Sequence, residues 1–475
     1  MSIASMPTPY LTIAFHRVAF SITLLAGCTM EPAYQRPALP VAGNWDGANP
    51  GAAQAQNIGW KTFFNQWKMN QLIAMSLENN RDLRVAVLNV DNARASFQID
   101  RAALLPTLDA SAGETSQHLP GGLYSTQSTG PATYQQYSAN LGVTSYEVDL
   151  FGRVRSLRDK GLETFLATEA TQRATQITLV SEVASGYLTL AADNDLLKLA
   201  ISTANSQKNS YDLTKRSYDS GISTSQDLVQ AETTVHAAQA DIAQYTRQVR
   251  QDVNALTLLV GTSIPQHFLA DATLQDDWKF PQTPSGLPSD LLTRRPDIIS
   301  AEHTLKAANA NIGAARAAFF PSITLTGSAG SESGSLSKLF NGGTGTWSFM
   351  PSINIPIFDG GVNQANLDIA KDTKKIDIAN YEKAIQTAFK EVSDGLAGEA
   401  TYKEEMLARK QDADANQKNY DLSQMRFKGG VDNYLSVLVA QRSLYSAQQT
   451  LITTKLAQLN QDINLFKALG GGWKK

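Results

Sequence analysis

Arg101-Ala-Ala-Leu-Leu-Pro-Thr-Leu108 and Arg316-Ala-Ala-Phe-Phe-Pro-Ser-Ile323 are one phrase written twice, 215 residues apart. Asp82 falls on Asp297 at the same offset. Further on, Glu182-Val-Ala-Ser-Gly186 matches Glu391-Val-Ser-Asp-Gly395 and Tyr211-Asp-Leu matches Tyr420-Asp-Leu, now at an offset of 209, and Gly221 falls on Gly430. The matches keep their order, which marks an internal duplication. At ~150 residues per domain, the 475-residue chain suggests about three domains. The duplication replaces that expectation with two copies of one elongated unit.

Each copy reads helix, strand, loop, strand, long helix, turn, helix. No proline falls between Ala132 and Ile264, and none follows Pro356, so two long spans lack the strongest helix breaker. From Arg153 to Asp219 the pattern permits a nearly continuous helix, roughly 100 Å long at ~1.5 Å per residue. Asp219-Ser-Gly-Ile-Ser223 and Lys428-Gly-Gly-Val-Asp432 read as tight turns between helices. After them, Leu228, Val235, Ile242, Val249 and Leu256 recur every seven residues, as do Leu438, Tyr445, Ile452, Leu459 and Phe466. That period predicts antiparallel coiled hairpins.

Strands follow Pro106 and Pro321. Ile323, Leu325, Gly327 and Ala329 alternate with polar neighbours, and Trp347, Phe349, Pro351, Ile353, Ile355 and Ile357 do the same. Leu108, Ala110 and Ala112 alternate more weakly, and the strand ending near Phe151 is ambiguous in phase. Four strands of this length fit a bilayer crossed by tilted β-strands. They cannot close alone, and open edges in lipid are forbidden energetically. A barrel shared between chains is therefore expected, against the alternative of a soluble sheet packed on the helices.

With 41 basic and 44 acidic residues, the net charge is −3 and no positive field points to nucleic acid. No run of ~18 or more apolar residues indicates a membrane-spanning helix. The five histidines are scattered without metal-ligand spacing, and no phosphate-binding loop or catalytic constellation is visible. Energy must come from a partner, and neither an enzyme nor a bound cofactor is expected.

The single cysteine, Cys28, follows a short apolar stretch, Val18–Gly27, and closes Leu25-Ala26-Gly27-Cys28. That tetrapeptide resembles a bacterial lipobox, which implies signal cleavage before Cys28 and acylation of its thiol. Thr29, rather than an aspartate, favours the outer membrane by the same resemblance, and Met6 is a candidate true start. The expected layout is a signal peptide at 1–27, an extended segment at 28–66, a first repeat at 67–260, an inter-repeat segment at 261–292, a second repeat at 293–467 and a tail at 468–475.

Several stretches together resemble the outer-membrane efflux protein family, the TolC-like channels, and within it the OprM-like lipoproteins. They are Ser145-Tyr-Glu-Val-Asp-Leu-Phe-Gly-Arg153, Arg294-Arg-Pro-Asp-Ile298, Ala307–Pro321, Ile357-Phe-Asp-Gly-Gly361, Tyr381–Phe389 and Ala468-Leu-Gly-Gly-Gly-Trp473. The resemblance implies a mixed α and β fold: a homotrimer whose chains give four strands each to a 12-stranded outer-membrane β-barrel, continued by a long periplasmic α-barrel. It also implies a gated, passive duct for drugs and other small toxic molecules in a tripartite pump. The partners would be a periplasmic adaptor and an inner-membrane transporter of the resistance-nodulation-division type. A duct for type I protein secretion or metal export is the alternative, though no methionine cluster marks a soft-metal path.

By the same resemblance, the turns at Ser220, Gly221, Gly429, Gly430, Val431 and Asp432 form a tip that meets the adaptor. Leu435 matches a constriction position and Arg442 a latching position. Relatives often place aspartates where this chain has Ser436 and Val439, which weakens the expectation of an acidic ring from the second repeat. Asp227, the first-repeat counterpart of Ser436, is the candidate to supply that charge.

Overall fold

The computed structural model describes residues 29–43, 59–120, 130–274, 278, 280–281 and 291–472. Cys28 and the signal segment lie outside the described residues, as does Trp473. In chain order the helices and strands are α1 (Trp60–Phe63), α2 (Trp67–Asn79), α3 (Arg81–Ala102), β1 (Leu108–Leu119), β2 (Ala132–Glu147), α4 (Arg153–Asp219) and α5 (Ser225–Val260). There follow α6 (Gln266–Leu269), α7 (Leu291–Arg294), α8 (Pro296–Ala317), β3 (Ser322–Ser333), β4 (Gly345–Asn354), α9 (Val362–Lys428) and α10 (Tyr434–Ala468). A short 3-10 helix, Leu336–Lys338, sits between β3 and β4. The long helices α4 and α9 each run 67 residues, where the sequence permits them.

The chain divides into two compact units, and they are not the two repeats. One takes Met1–Pro37, Asp91–Ala167 and Glu302–Asn380; the other takes Ala38–Val90, Thr168–Ala301 and Tyr381–Lys475. Each unit therefore draws on both halves of the duplication.

The first unit holds one antiparallel sheet in the order β1-β2-β3-β4. Its register aligns the small and apolar residues into one face. Leu108, Ala110 and Ala112 stand opposite Val143, Leu141 and Ala139. Val143 and Leu141 stand opposite Gly327 and Ala329, which face Phe349 and Trp347 in turn. Because side chains alternate sides of a strand, Asp109, Ser111, Asn140, Ser138, Ser328 and Ser348 collect on the other face. A bulge between Val143 and Tyr146 breaks the alternation in β2, and Ser145 there takes φ 56°. Beyond the bulge Tyr146, an even-numbered residue, pairs with Leu325 where odd-numbered Val143 pairs with Gly327. That change of parity is why the second strand shows no steady period in sequence.

From Leu108 to His118 every residue of β1 is exposed, and Trp347, Phe349 and Ile353 of β4 are exposed as well. A soluble sheet packed on helices would bury one face, and within the single chain this one does not. β4 stops at Asn354, short of the alternation that extends to Ile357 in the sequence.

The second unit has the main apolar core. Phe63, Phe64, Met69, Leu72 and Ile73 pack with Val183, Leu188 and Ala191 of α4, Leu256 and Val260 of α5, Trp278, and Ile463 and Phe466 of α10. The segments before α2 and after α5 thus meet the C-terminal helix in one cluster. Along α5, the most deeply buried residues before Leu256 are Ala231, Thr234 and Ala238, and the heptad positions Leu228, Val235 and Ile242 are only half-buried.

Candidate functional site: the helix turns and the helices behind them

The two turns share one backbone. After α4, Gly221 donates to Tyr218 O and Ile222 to Ser217 O; after α9, Gly430 donates to Phe427 O and Val431 to Arg426 O. Gly221 and Gly430 take φ 73° and 70°, the left-handed conformation that closes a helix and favours glycine. Ile222 and Val431 occupy equivalent places and are 82% and 66% exposed. Each turn apex thus carries one bare apolar side chain. Ile222 carries no motif, but the 209 offset from Val431 makes it legible.

The turns differ in their pins. In the first, Ser220 Oγ donates to Arg216 O at 2.8 Å. In the second, Arg426 holds Asp432 by two parallel bonds, Nε to Oδ2 at 2.6 Å and Nη2 to Oδ1 at 3.0 Å. That pairing holds the Asp432 carboxyl below its ordinary value. Gly429 donates to Met425 O and ends α9.

The next helices begin with matched caps. Thr224 and Asp227 form a reciprocal capping box, with Asp227 Oδ2 accepting from Thr224 N at 3.1 Å and from Thr224 Oγ1 at 2.7 Å. In the second copy Asn433 Oδ1 accepts from Ser436 N and from Ser436 Oγ. Asp227 and Ser436 are therefore the same capping position. The Asp227 carboxylate accepts from the Thr224 amide at the helix start, a structural reason for that acid independent of any selectivity role.

On α10, Tyr434, Val437 and Leu438 are buried and pack with Ala231, beside Tyr211, Tyr420 and Phe427. Leu435, Val439 and Arg442 follow a spacing of four and three residues, which places them on one stripe of the helix. Leu435 and Val439 are 48% and 57% exposed. Arg442 is also exposed. The structure thus brings these three sequence-selected residues onto one uncovered face and leaves Ser436 at the cap.

Farther from the turns, polar bonds tie α10 to α4 and α5. Gln441 Nε2 donates to Ser206 Oγ at 3.3 Å, Tyr445 OH to Asp241 Oδ2 at 3.1 Å, and Gln449 Nε2 to Tyr245 OH at 2.9 Å. Asp193 of α4 and Asp252 of α5 are close enough to influence each other, and burial pushes both carboxyls up. Burial, followed by the hydrogen bond and charge of Asp193, pushes the Asp252 carboxyl up to about 7. The folded pair keeps a proton that the unfolded chain releases near the ordinary carboxylate value of about 4. Stability therefore falls as pH rises through that window. Between about pH 5 and pH 8 the wild type should lose about 1 kcal/mol more than Asp252→Asn, after allowance for solvent screening. Thermal unfolding at the two pH values checks this.

One cluster had no visible role in the sequence beyond its part in the resemblance. Arg295, buried, is bidentate to Asp297 (Nε to Oδ1 3.0 Å, Nη2 to Oδ2 2.6 Å). It also donates to Glu391 Oε2 at 2.6 Å and to Ala468 O at 3.2 Å. The Arg294–Ile298 motif thus knots the start of α8 to α9 and to the end of α10. Glu391 belongs to the repeated phrase that matches Glu182.

The family profile described as Outer membrane efflux protein matches residues 72–262 and 287–471. The probable efflux pump outer membrane protein TtgC of Pseudomonas putida is 49% identical over 462 residues, spanning 96% of this chain and 95% of that one. Outer membrane protein OprJ of Pseudomonas aeruginosa is 41% identical over 468 residues, spanning 97% and 96%. Among solved structures, the open state of the MtrE outer membrane channel of Neisseria gonorrhoeae superposes with a TM-score of 0.85 at 37% identity, covering 94% of this chain and 99% of that one.

Proposed function

Because the chain belongs to the outer membrane efflux protein family, we propose that it is the outer-membrane duct of a tripartite efflux pump for small toxic molecules, organic solvents and antibiotics among them. Relatives at 46–49% identity are named for antibiotic, toluene and solvent efflux, which supports that substrate class. The observation that carries the reading is the four-stranded sheet with an apolar face uncovered in the single chain and two unpaired edges. Three copies supply twelve strands and close the barrel, which removes every edge from lipid. The paired long helices of the three copies continue it as an α-barrel. An adaptor meets the turns at Ser220–Ile222 and Gly429–Asp432, and a resistance-nodulation-division transporter supplies the energy. Cys28 carries the lipid anchor.

Three copies of Leu435 form an apolar constriction behind the turns, and Arg442 reaches a neighbouring chain. Hydrophobic constrictions gate by excluding water, so Leu435→Ala should raise single-channel conductance in planar bilayers severalfold. Unchanged conductance would remove Leu435 from the gate. Deleting the gene should lower tolerance to toluene and antibiotics, with recovery on complementation. Unchanged tolerance in a strain lacking paralogous ducts would overturn the efflux reading.

A further inference from the structure

Residues 29–37 lie as an extended strap against α8 and run antiparallel to it. At one end, Arg316 Nη1 donates to Met30 O at 3.2 Å. In the middle, buried Asn309 donates to Pro32 O at 2.7 Å and to Glu31 Oε1 at 3.2 Å. Lys374 holds the other side of the Asn309 amide, Nζ to Oδ1 at 2.8 Å. At the far end, Arg36 is bidentate to Glu302, Nη2 to Oε2 at 2.8 Å and Nε to Oε1 at 3.1 Å, and Tyr34 OH donates to the same carboxylate at 3.3 Å. The Glu302 side chain is only 7% exposed, so this is a built socket and not a loose surface pair.

Gly313 makes the close approach possible. A Cβ there would stand 2.5 Å from Ser156 Oγ and 2.9 Å from Glu31 Cα and N.

The strap and the stretch of helix it lies on are of comparable length. Glu302 to Arg316 is fourteen residues of helix, ~21 Å at ~1.5 Å per residue. Met30 to Arg36 is six residues, and a fully extended chain spans at most ~20–22 Å over that number. The side chains of Arg36 and Arg316 add reach at the two ends, so the docking contacts themselves, and not chain tension, pin the strap. Cys28 is two residues before Met30 in the sequence. That end of α8 leads directly through Pro321 into β3.

We propose that the strap is a ruler: docked on α8, it holds the acylated N-terminus at a fixed height beside the start of β3, so that lipid anchor and sheet enter the membrane in register. Arg36, Glu302, Asn309 and Gly313 are its positioning residues. The proposal rests on the acylation of Cys28 and on the membrane reading of the sheet. An acyl chain on a loose tether gives membrane retention without a fixed height; a docked strap supplies the height.

The test compares two Gly-Ser insertions in the full chain, one inside the strap between Ala33 and Tyr34 and one just beyond it between Pro37 and Ala38. Both should incorporate labelled palmitate as wild type does. The inside insertion should lower the fraction recovered as assembled outer-membrane protein severalfold, and the outside insertion should leave it unchanged. A spin label on Ala33→Cys, in detergent, should be immobilised in the otherwise wild-type chain and in Cys28→Ser alike. The label should become mobile in Glu302→Ala and Gly313→Val. Arg36→Glu should release the strap, and adding Glu302→Arg should restore it, which separates docking from a general folding defect. A mobile label in the otherwise wild-type chain, or equal assembly of the two insertions, would overturn the ruler. An immobilised strap on a chain that takes up no palmitate would instead overturn the acylation reading beneath it, and with it the ruler's role.

Discussion

Replacing Gly261 by alanine should cost about 3 kcal/mol of stability, whereas the same change at Gly221 should cost about 1 kcal/mol. Both glycines take positive φ, 77° and 73°, so both changes carry the left-handed penalty of an L residue. They differ in surroundings. A Cβ on Gly221 meets nothing within 4 Å, but one on Gly261 would stand 2.7 Å from the Asn79 carbonyl carbon and closer still to its oxygen. Those atoms are backbone, and they cannot swing aside. Asn80 makes the place stiff: its Nδ2 donates to Leu259 O at 2.9 Å, and its Oδ1 accepts from Leu83 N at 2.9 Å. One asparagine thus finishes α5 and starts α3, and Gly261 is the gap through which they meet. Thermal unfolding of the two variants side by side checks the difference, and equal shifts would show that the backbone approach is not tight.

Phe63→Ala should cost more, about 3–5 kcal/mol, as for other fully buried aromatic side chains. The Phe63 ring stacks on Phe466 with centroids 3.9 Å apart and planes 6° from parallel, and on Phe280 at 5.1 Å. Phe64 meets both Phe63 and Phe466 edge-on. These rings join a short N-terminal helix, the inter-repeat segment and the end of α10, so removing one leaves a cavity with three distant walls. Phe466→Ala should behave alike, and the double variant should lose less than the two losses added, since the rings share one stack. Full additivity would mean that the rings contribute separately.

The duplication made most of the architecture legible, because both copies must build the same helix–strand–strand–helix unit. Prolines and glycines located the turns because their backbone limits are local. The second strand was illegible at Ser145, where one bulge swaps the faces of everything after it. The heptads marked the right helices but not the most deeply buried positions of α5 before Leu256, which are Ala231, Thr234 and Ala238; small residues give a weak periodic signal.

The candidate gate was legible only through resemblance, and Asp227 shows what that misses. Its position suggested a charge in a pore, and its atoms also form a helix cap. Arg295 and the strap were illegible for another reason. Their partners, Glu391 and Ala468 in one case and Glu302 and Asn309 in the other, are far away in sequence. A proline-rich segment such as 29–40 reads as irregular when its docking surface is unseen. The compact units, each drawn from both repeats, depend on long-range pairing in the same way.

The central claim is that several chains complete one barrel. The mass of the detergent-solubilised, full-length protein measured by light scattering, with detergent subtracted, tests it most directly. The proposed 12-stranded duct predicts a particle of three chains; the two edges left unpaired among the described strands of each chain already require more than one. A folded, monodisperse particle of a single chain would contradict the shared barrel and the duct with it.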